Sequence, residues 1–399
     1  MAGTPIDDQV RGTVRLRLLN TRRVLTALRK AGRPLRIAEL AQMTALTRPT
    51  VAQIVTTLEG RDYLRRHEPT ETAGRPAARY GLAHDRFVVF GADAGAHRAV
   101  VEIASLDGAV RARRERRDTP PLGDRMLQML GEMVRECLDE VGLSSGALVA
   151  GTVASPGIVH EPTGRITLRP GLGDWNAAQV VAALGEDVGG AVTVENDANL
   201  AAQAMCTVPG MPQTFFGLQW GQRLGAGIVL DGRVYRGRFG AAGELGSILL
   251  TDPVTGHVRH LEEVVRADRL PRLGGDPRVS TEELVAAADA GDRRSAHVLQ
   301  QGVDPLASAV AAICVVLDLH TVTISGAIAR SGPALVAAFQ KRLEAHGAID
   351  VECRLSPFHE DTVLRGAVGN AVDAGWEWLL ETCGPLASTP GTAARTGDL

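Results

Sequence analysis

A strand–turn–strand unit followed by alternating strands and helices occurs twice in this chain, and this repetition constrains the fold more than any other feature. Strands of the first unit are predicted at 87–93, 99–105 and 109–114, and those of the second at 214–220, 225–230 and 233–235. Asp107-Gly108 and Asp231-Gly232 separate the last two strands of each unit, as in hairpins. Buried-type strands and amphipathic helices follow both units. The pattern predicts two related α/β lobes, which suggests a duplicated nucleotide-type fold.

Length and composition set the domain organisation around these lobes. At roughly 100–200 residues per domain, 399 residues suggest two or three domains. We predict a smaller N-terminal domain at 11–84 and a two-lobed domain at 85–383. The remaining residues, 384–399, are rich in Pro, Gly, Thr and Ser and are predicted to be a disordered tail.

The charge of the chain is distributed unevenly. Residues 11–86 carry 16 basic and six acidic side chains, a net charge of +10, whereas the chain as a whole has −3, which leaves −13 elsewhere. A basic module on an acidic body predicts that one end binds a polyanion. No apolar run approaches the ~20 residues of a membrane span and no signal core is visible. The five Cys are scattered, so we expect a cytoplasmic protein with reduced thiols and no membrane contact.

The basic module has the element order of a winged helix-turn-helix. Helical periodicity covers 14–31, a short second helix follows at 37–41, and Thr47 can cap a third helix that has Pro49 in its first turn. Two short strands, at 63–67 and 79–82, are predicted to pair as the wing.

The third helix has one apolar and one polar face. The polar residues are of the kinds that hydrogen-bond base edges and phosphates, and the predicted DNA contacts are Thr47, Arg48, Thr50, Gln53 and Thr57. Insertion of this helix into the major groove of double-stranded DNA is therefore the favoured interpretation. The alternative is a three-helix bundle with a basic surface.

Gly74-Arg75-Pro76 lies at the predicted tip of the wing. An extended tip of this kind can insert the Arg75 guanidinium into a narrow minor groove. It is equally well interpreted as an ordinary turn or linker.

Several short motifs, weak singly, make the chain similar to a known family when they are taken in order. They are Gly74-Arg75-Pro76, Ser155-Pro156-Gly157-Ile158-Val159, Glu195-Asn196-Asp197-Ala198-Asn199, Asp231-Gly232 with Tyr235-Arg236-Gly237, and Ala242-Gly243-Glu244-Leu245-Gly246. The chain resembles the ROK family (repressor, open reading frame, kinase) in its regulator form. This resemblance implies an actin-like, sugar-kinase fold of two ribonuclease-H-like lobes behind the winged helix-turn-helix.

The resemblance also implies a sugar site. Asp197 matches the catalytic-base position, Asn196 a sugar-hydroxyl contact, Glu244 and Glu262 two hydroxyl-binding glutamates, and Gly157 a loop that approaches the sugar. Carboxylates beside an amide suit a ligand with several hydroxyl donors. Asn196 and Asp197 are also good helix N-cap residues, and both roles are compatible.

The phosphate loops implied by the resemblance are altered. Asp93-Ala94-Gly95-Ala96-His97 stands where family kinases have Asp-x-Gly-Gly-Thr, Arg223 interrupts the second glycine-rich loop, and Ala327 replaces a glycine of the adenosine loop. A side chain at such positions hinders the approach of backbone N–H groups to phosphate. We therefore expect a catalytically inactive body, in which Asp197 is a vestigial base.

The structural zinc site of the family is predicted to be lost, and no other cofactor is expected. Ser247 takes the position of a family His, and Pro253, Thr255 and His260 align with three family Cys. Tetrahedral zinc needs four nitrogen or sulfur ligands. Without it, a predicted helix at about 258–267 would have to be held by packing alone.

Together these features favour a transcriptional regulator, expected to be a repressor, that binds DNA as a homo-oligomer (dimer or tetramer) and senses a sugar or sugar derivative. Two alternatives stay open. One is an active ATP-dependent sugar kinase with a DNA-binding domain, and the other is a DNA-binding scaffold that has no small-molecule ligand.

Overall fold

The structure is a computed structural model of the whole chain. It describes residues 5–67, 78–83, 85–95, 97–160, 163–168, 172–186, 188–221, 223–266, 269, 278–279, 281–326, 332–348 and 350–383. The wing tip, including Arg75, and the 384–399 tail lie outside these residues, so the predictions made for them stay predictions.

Three helices and a small sheet form the N-terminal module. The helices are α1 (Pro5–Ala31), α2 (Ile37–Thr44) and α3 (Arg48–Glu59), and the strands are β1 (Leu35–Arg36), β2 (Leu64–His67) and β3 (Arg79–Leu82). As predicted, β2 and β3 pair antiparallel, but β1 adds a third strand on the other edge of β3. Two residues are too few for an alternating pattern to be visible in the sequence.

The first lobe is a five-stranded mixed sheet with helices against it. Its strands are β4 (Val88–Ala94), β5 (Arg98–Ser105), β6 (Val110–Arg117), β7 (Leu148–Ser155) and β10 (Val192–Asn196), in the order β10-β7-β4-β5-β6. Helices α4 (Asp124–Glu140) and α5 (Ala177–Gly185) and the hairpin of β8 (Ile158–His160) and β9 (Arg165–Thr167) complete it. Apolar residues of β4, β5 and α4 share one core.

The second lobe repeats this topology. Its sheet contains β11 (Phe215–Trp220), β12 (Leu224–Leu230), β13 (Arg233–Val234), β16 (Thr321–Ser325) and β17 (Glu352–Leu355), in the order β13-β12-β11-β16-β17. In both sheets, three consecutive antiparallel strands are followed by two parallel strands on the other side of the first strand. The duplication predicted from the two hairpins is therefore present in the fold.

The remaining elements of the second lobe cover its sheet or lie at its margin. They are α6 (Asp197–Met205), β14 (Leu249–Thr251), β15 (Val258–His260), α7 (Leu261–Val265), α8 (Thr281–Asp289), α9 (Arg293–Leu317) and α10 (Gly332–Ala345). Among the described residues, α9 alone has the length and apolar composition of a membrane span, and half of its apolar window is buried in the protein. This is weak evidence for a membrane helix, since core helices have the same composition.

The last helix, α11 (Thr362–Thr382), returns to the first lobe and connects it to the N-terminal module. Its Val368 packs against Gly91 of β4, where an added Cβ would come within 2.7 Å of the valine. Its Trp376 and Leu379 belong to the same apolar cluster as Leu25 and Leu28 of α1. One helix thus touches both the body and the predicted DNA-binding module.

Candidate functional site

Helix α3 presents the predicted DNA contacts in the expected arrangement. Thr47 is its N-cap and accepts a hydrogen bond from the Thr50 backbone N–H at 3.3 Å. The apolar face of the helix is buried, so the polar face points to solvent. Arg48 and Gln53 are exposed there, and neither side chain forms a hydrogen bond or ion pair with the residues that the structure describes.

The three threonine hydroxyls of this face are already engaged. The Thr47 and Thr50 hydroxyls lie 2.8 Å apart, and the Thr57 hydroxyl donates to the Gln53 carbonyl oxygen at 2.8 Å. Arg48 and Gln53 are therefore the side chains best placed to read base edges, while the threonines are better suited to short contacts with the DNA backbone.

A mixed polar and aromatic contact holds the module on the body. Arg29 of α1 forms an ion pair with Asp373 of α11, and its guanidinium lies 5.1 Å from the centroid of the Trp376 ring. Arg22 donates through Nε to the Leu380 carbonyl oxygen at 3.0 Å. These contacts join residues more than 300 positions apart, so no local sequence signal could have predicted them.

The predicted sugar residues of the first lobe lie at the carboxyl ends of its parallel strands. Asn196 ends β10 and is the N-cap of α6, accepting a hydrogen bond from the Asn199 N–H at 3.0 Å through its Oδ1. Its Nδ2 donates to the Gly157 carbonyl oxygen at 2.9 Å. The structure thus brings Asn196 and Gly157 together, and the predicted capping role is confirmed.

Two carboxyl groups with raised pKa values face this edge. Burial, together with the negative charge of Asp197, raises the pKa of Asp93 to about 7. Burial also raises the pKa of Asp197 to about 6, with the Glu262 charge adding to this effect and the Arg223 charge opposing it. Asp197, Glu262 and Arg223 are therefore electrostatic neighbours, and Asp93 is a further cleft residue that the sequence reasoning did not assign to ligand binding.

Glu262 and Glu244 differ in their surroundings. Glu262 lies in the first turn of α7 and accepts a hydrogen bond from the Leu224 N–H at 3.0 Å, which connects it to β12 and to the Asp197 side of the cleft. Glu244 follows Gly243, whose backbone packs tightly against the Ala226 carbonyl of β12. Glu244 also lines an apolar groove along α9.

An ion pair that the sequence reasoning missed connects the two lobes. Glu195 of β10 accepts hydrogen bonds from the Asn196 N–H at 2.8 Å and from Asn199 Nδ2 at 3.0 Å through Oε1, and its Oε2 pairs with Arg236 Nε at 2.6 Å. Glu195 is buried and Arg236 follows β13 of the second lobe. Both residues lie in motifs noted above, but their pairing across 41 positions is decided by the fold.

The segment that resembles the zinc-binding region has a different organisation. Ser247, Pro253, Thr255 and His260 do not provide four nitrogen or sulfur ligands, and the His260 ring nitrogen lies 3.2 Å from the Ser247 carbonyl oxygen. No group of three or more His, Cys, Asp or Glu side chains suited to a metal is found within the described ranges. These residues do not fit a zinc ion.

A buried carboxylate organises this segment instead. Asp252 is fully buried and accepts hydrogen bonds from the Val254 N–H at 3.0 Å, the Thr255 hydroxyl at 3.0 Å and Arg269 Nη2 at 2.7 Å. Burial by itself would raise the pKa of Asp252, but the hydrogen bonds and the Arg269 charge have the larger combined effect and lower it. The prediction that packing alone holds this region was wrong, because the hydrogen bonds and the ion pair of Asp252 also stabilise it. The helix predicted from 258 was wrong as well, because β15 and the five-residue α7 occupy these positions.

Comparisons with known proteins agree with this architecture. The profile of the ROK family matches residues 89–372, and that of the IclR helix-turn-helix domain matches residues 18–68. A crystal structure described as a ROK family transcriptional regulator, homologue of the Escherichia coli MLC protein, superposes with a TM-score of 0.72, at 22% identity over 92% of this chain and 98% of that one.

Curated relatives include both enzymes and regulators. A glucokinase of Thermotoga maritima is 26% identical over 70% of this chain and 95% of its own. The Escherichia coli DNA-binding transcriptional dual regulator NagC is 22% identical over 84% of this chain and 87% of its own. The similarity to NagC spans a larger share of this chain than the similarity to the glucokinase.

Proposed function

The chain belongs to the ROK family, and from this premise we propose that it is a sequence-specific transcriptional regulator, acting as a repressor, whose body senses a sugar or sugar derivative without phosphorylating it. The observation that carries this proposal is that a basic helix-turn-helix with unengaged Arg48 and Gln53 is joined by α11 to the cleft that holds Asn196 and Asp197. In this proposal the protein acts in the cytoplasm on double-stranded DNA.

The proposed ligand contacts are the polar groups at the mouth of the cleft. Asp197 and Glu262 supply acceptors, Asn196 and the Gly157 backbone shape the loop between them, and Glu244 is proposed to contact the ligand from the β12 side. Hydroxyl groups of a polyol donate to such carboxylates, and a ligand lacking them leaves buried polar atoms unpaired. A sugar-like ligand is therefore the class that this cleft favours.

Helix α11 gives the sensing step a physical route to the DNA-binding module. Its first turn is preceded by Asp361, which pairs with Arg98 at 2.6 Å and with Arg113 at 3.0 Å on the first-lobe sheet. Its other end carries Asp373 and Trp376, which hold Arg29. A ligand that shifts α6 displaces α11, and α11 displaces the module. Because half-sites on one DNA face are separated by multiples of ~34 Å, a small rotation suffices to misregister two modules.

The experiment is DNA binding with and without sugars. Fluorescence anisotropy of a duplex from the chain's own promoter region should show sequence-specific binding at physiological salt, and one sugar from a panel should weaken it. Failure to distinguish this duplex from a scrambled one would refute the proposal.

An active sugar kinase is the second candidate, because Asp197 retains a carboxyl with a pKa of about 6, suited to accepting a proton near neutral pH. ATP-dependent phosphorylation of a hexose that disappears in Asp197→Asn would establish it. A ligand-free scaffold is the third candidate. It predicts no thermal stabilisation by any sugar, whereas a ligand at ~100 times its Kd adds about 2.7 kcal/mol.

A further inference from the structure

A cavity of about 430 Å³ lies where the N-terminal module meets the body. The end of α1, the strands β2 and β3, the turn after β5 and the helix α11 all contribute to its walls. We call it the junction cavity and define it by Leu28, Arg33, His67, Leu82, Leu106 and Trp376. Pockets for small molecules occur preferentially at domain interfaces and measure roughly 300–1,000 Å³. Both the position and the size of the junction cavity therefore suit a small ligand.

Two glycines leave room between the module and the body. Gly32 follows α1 with a φ of +60°, and an added Cβ there would meet no atom within 4 Å. Gly81 of β3 is buried, and an added Cβ would come 3.0 Å from His67 Nε2 and 3.1 Å from Pro34 Cγ. The backbone of the module thus shapes the cavity at both positions, because neither carries a side chain that could fill it.

The floor of the junction cavity is apolar. Leu28, Leu106 and Trp376 line it and are only 3%, 4% and 2% exposed. The Trp376 Nε1 donates to the Leu106 carbonyl oxygen at 2.9 Å, so the single donor of the indole is already engaged. The floor therefore favours an apolar group of a ligand over a polar one.

The edge of the cavity carries nitrogen donors. Arg29, Arg33 and His67 line it and are exposed. The two arginines pair with Asp373 and Glu39, respectively, and neither of these carboxylates lines the cavity. The imidazole of His67 forms no hydrogen bond with any residue that the structure describes. This edge favours an anionic group, since arginine forms strong hydrogen bonds with carboxylates.

One carboxylate does line the cavity, but its own turn engages it. The Asp107 Oδ1 accepts hydrogen bonds from the Ser105 hydroxyl at 2.8 Å and from the Ala109 N–H at 3.0 Å. Arg33 uses Nη1 and Nη2 for one hydrogen bond each within the module. Because a guanidinium has five N–H donors, Arg33 can donate to a ligand as well.

We propose that the junction cavity binds a small amphipathic carboxylate, whose aromatic or branched apolar body lies against Trp376 and Leu106 and whose carboxylate is held by Arg33 and His67. This site is separate from the sugar cleft, since none of the predicted sugar residues lines it. Its walls come from both the module and α11, so a bound ligand holds the two in one arrangement. The inference does not depend on sugar sensing or on DNA binding.

The test compares two probes of the same shape. Isothermal titration of the full chain with cinnamate should show one binding site per chain. Cinnamyl alcohol has the same phenyl ring and a similar length but no charge, and it should bind ~10-fold more weakly or worse, because it loses the charge-assisted hydrogen bonds.

Two variants locate the site. Arg33→Gln removes the cation and should weaken cinnamate binding ~10-fold or more while changing the affinity for cinnamyl alcohol little. Val372→Phe enlarges a half-buried side chain of the cavity wall on α11 and should weaken the binding of both probes. Arg23→Gln is the matched control, because Arg23 is exposed on α1 and does not line the cavity. Circular dichroism verifies that each variant is folded.

Four outcomes would overturn the inference. They are a chain that does not bind millimolar cinnamate, equal affinities for the two probes, cinnamate binding that neither Arg33→Gln nor Val372→Phe weakens, and an equal loss in Arg23→Gln. The third outcome would place the probe elsewhere, for example in the apolar groove along α9. Because the titration contains neither DNA nor sugar, a chain that binds cinnamate but no operator would refute the proposed function and leave this inference standing.

Discussion

Gly366 of α11 lies directly against Leu200 of α6, so close that an added Cβ would come 1.9 Å from the Leu200 carbonyl oxygen. Helix α6 begins at Asp197 in the cleft, and α11 ends at the DNA-binding module. In the proposed function, this backbone contact is the point at which a movement of the cleft residues would be passed to the module.

Gly366→Ala should force α6 and α11 apart. We expect a loss of about 1–3 kcal/mol in the free energy of unfolding, as for other overpacked sites, together with a weaker effect of the sugar on DNA affinity. Gly369→Ala is the matched control, because an added Cβ there meets no atom within 4 Å, and alanine in a helix favours stability by roughly 0.5–1 kcal/mol. Urea denaturation of both variants measures the difference, and equal stabilities would contradict the proposed contact.

Arg48→Ala and Gln53→Ala should each weaken specific DNA binding by ~1–3 kcal/mol, because each removes a side chain available for base edges. Thr57→Ala should have a smaller effect, since its hydroxyl already donates to the Gln53 carbonyl. Anisotropy titrations at fixed salt measure all three. Arg111→Ala, an exposed arginine of β6 on the body, serves as the control for a general loss of positive charge.

Asp197→Asn and Glu262→Gln should leave the operator affinity nearly unchanged when no sugar is present. Both variants should reduce the change in operator affinity that the sugar causes. Both substitutions keep the shape of the side chain but replace a carboxylate acceptor of ligand hydroxyls, at an estimated ~1–3 kcal/mol each. Isothermal titration measures the affinity for the sugar, and anisotropy then measures the affinity for DNA with and without the sugar. An undiminished sugar response in both variants would remove these residues from the ligand site.

Stability should fall as pH rises through neutrality. Asp93 has a pKa of about 7 in the folded protein against an ordinary 3.8, so its contribution is fully present below about pH 4 and is lost as pH rises through 7. Each unit by which the folded and unfolded pKa values differ corresponds to about 1.4 kcal/mol in the free energy of unfolding. Thermal melts between pH 5 and 8 should therefore show this decline. Asp93→Asn should flatten the profile, and a profile that is unchanged in this variant would exclude Asp93 as its source.

Asp252→Asn should destabilise the segment that replaces the family zinc site. Removing one partner of a buried ion pair typically costs about 3–5 kcal/mol, because Arg269 keeps its charge without a counterion. The lowered pKa of Asp252 means that its contribution is present above its unfolded value and is lost as pH falls through the folded one. Adding EDTA should leave the melting temperature unchanged, and a chelator-induced drop would instead indicate a bound metal.

Sequence reasoning reached the architecture because its signals are local. Neighbouring residues determine the hairpin turns, the alternation of strands with helices, and helix caps such as Thr47 and Asn196. These local signals were enough to predict the two lobes and the helix-turn-helix. Strand β1 escaped this reasoning because two residues carry no period. The helix expected from 258 was wrong because the hydrogen-bonded turn at Asp252 pairs β14 with β15.

The sequence by itself thus determined the two lobes, the helix-turn-helix, the location of the basic charge and the Asn196 cap at the start of α6. Only the tertiary structure decided that Arg236 holds Glu195, that Arg29 meets Asp373, and that one side of α9 is left open. The physical reason is that local backbone preferences act over a few residues. Ion pairs and apolar contacts depend instead on distance in space, which the chain sets only after its lobes have packed.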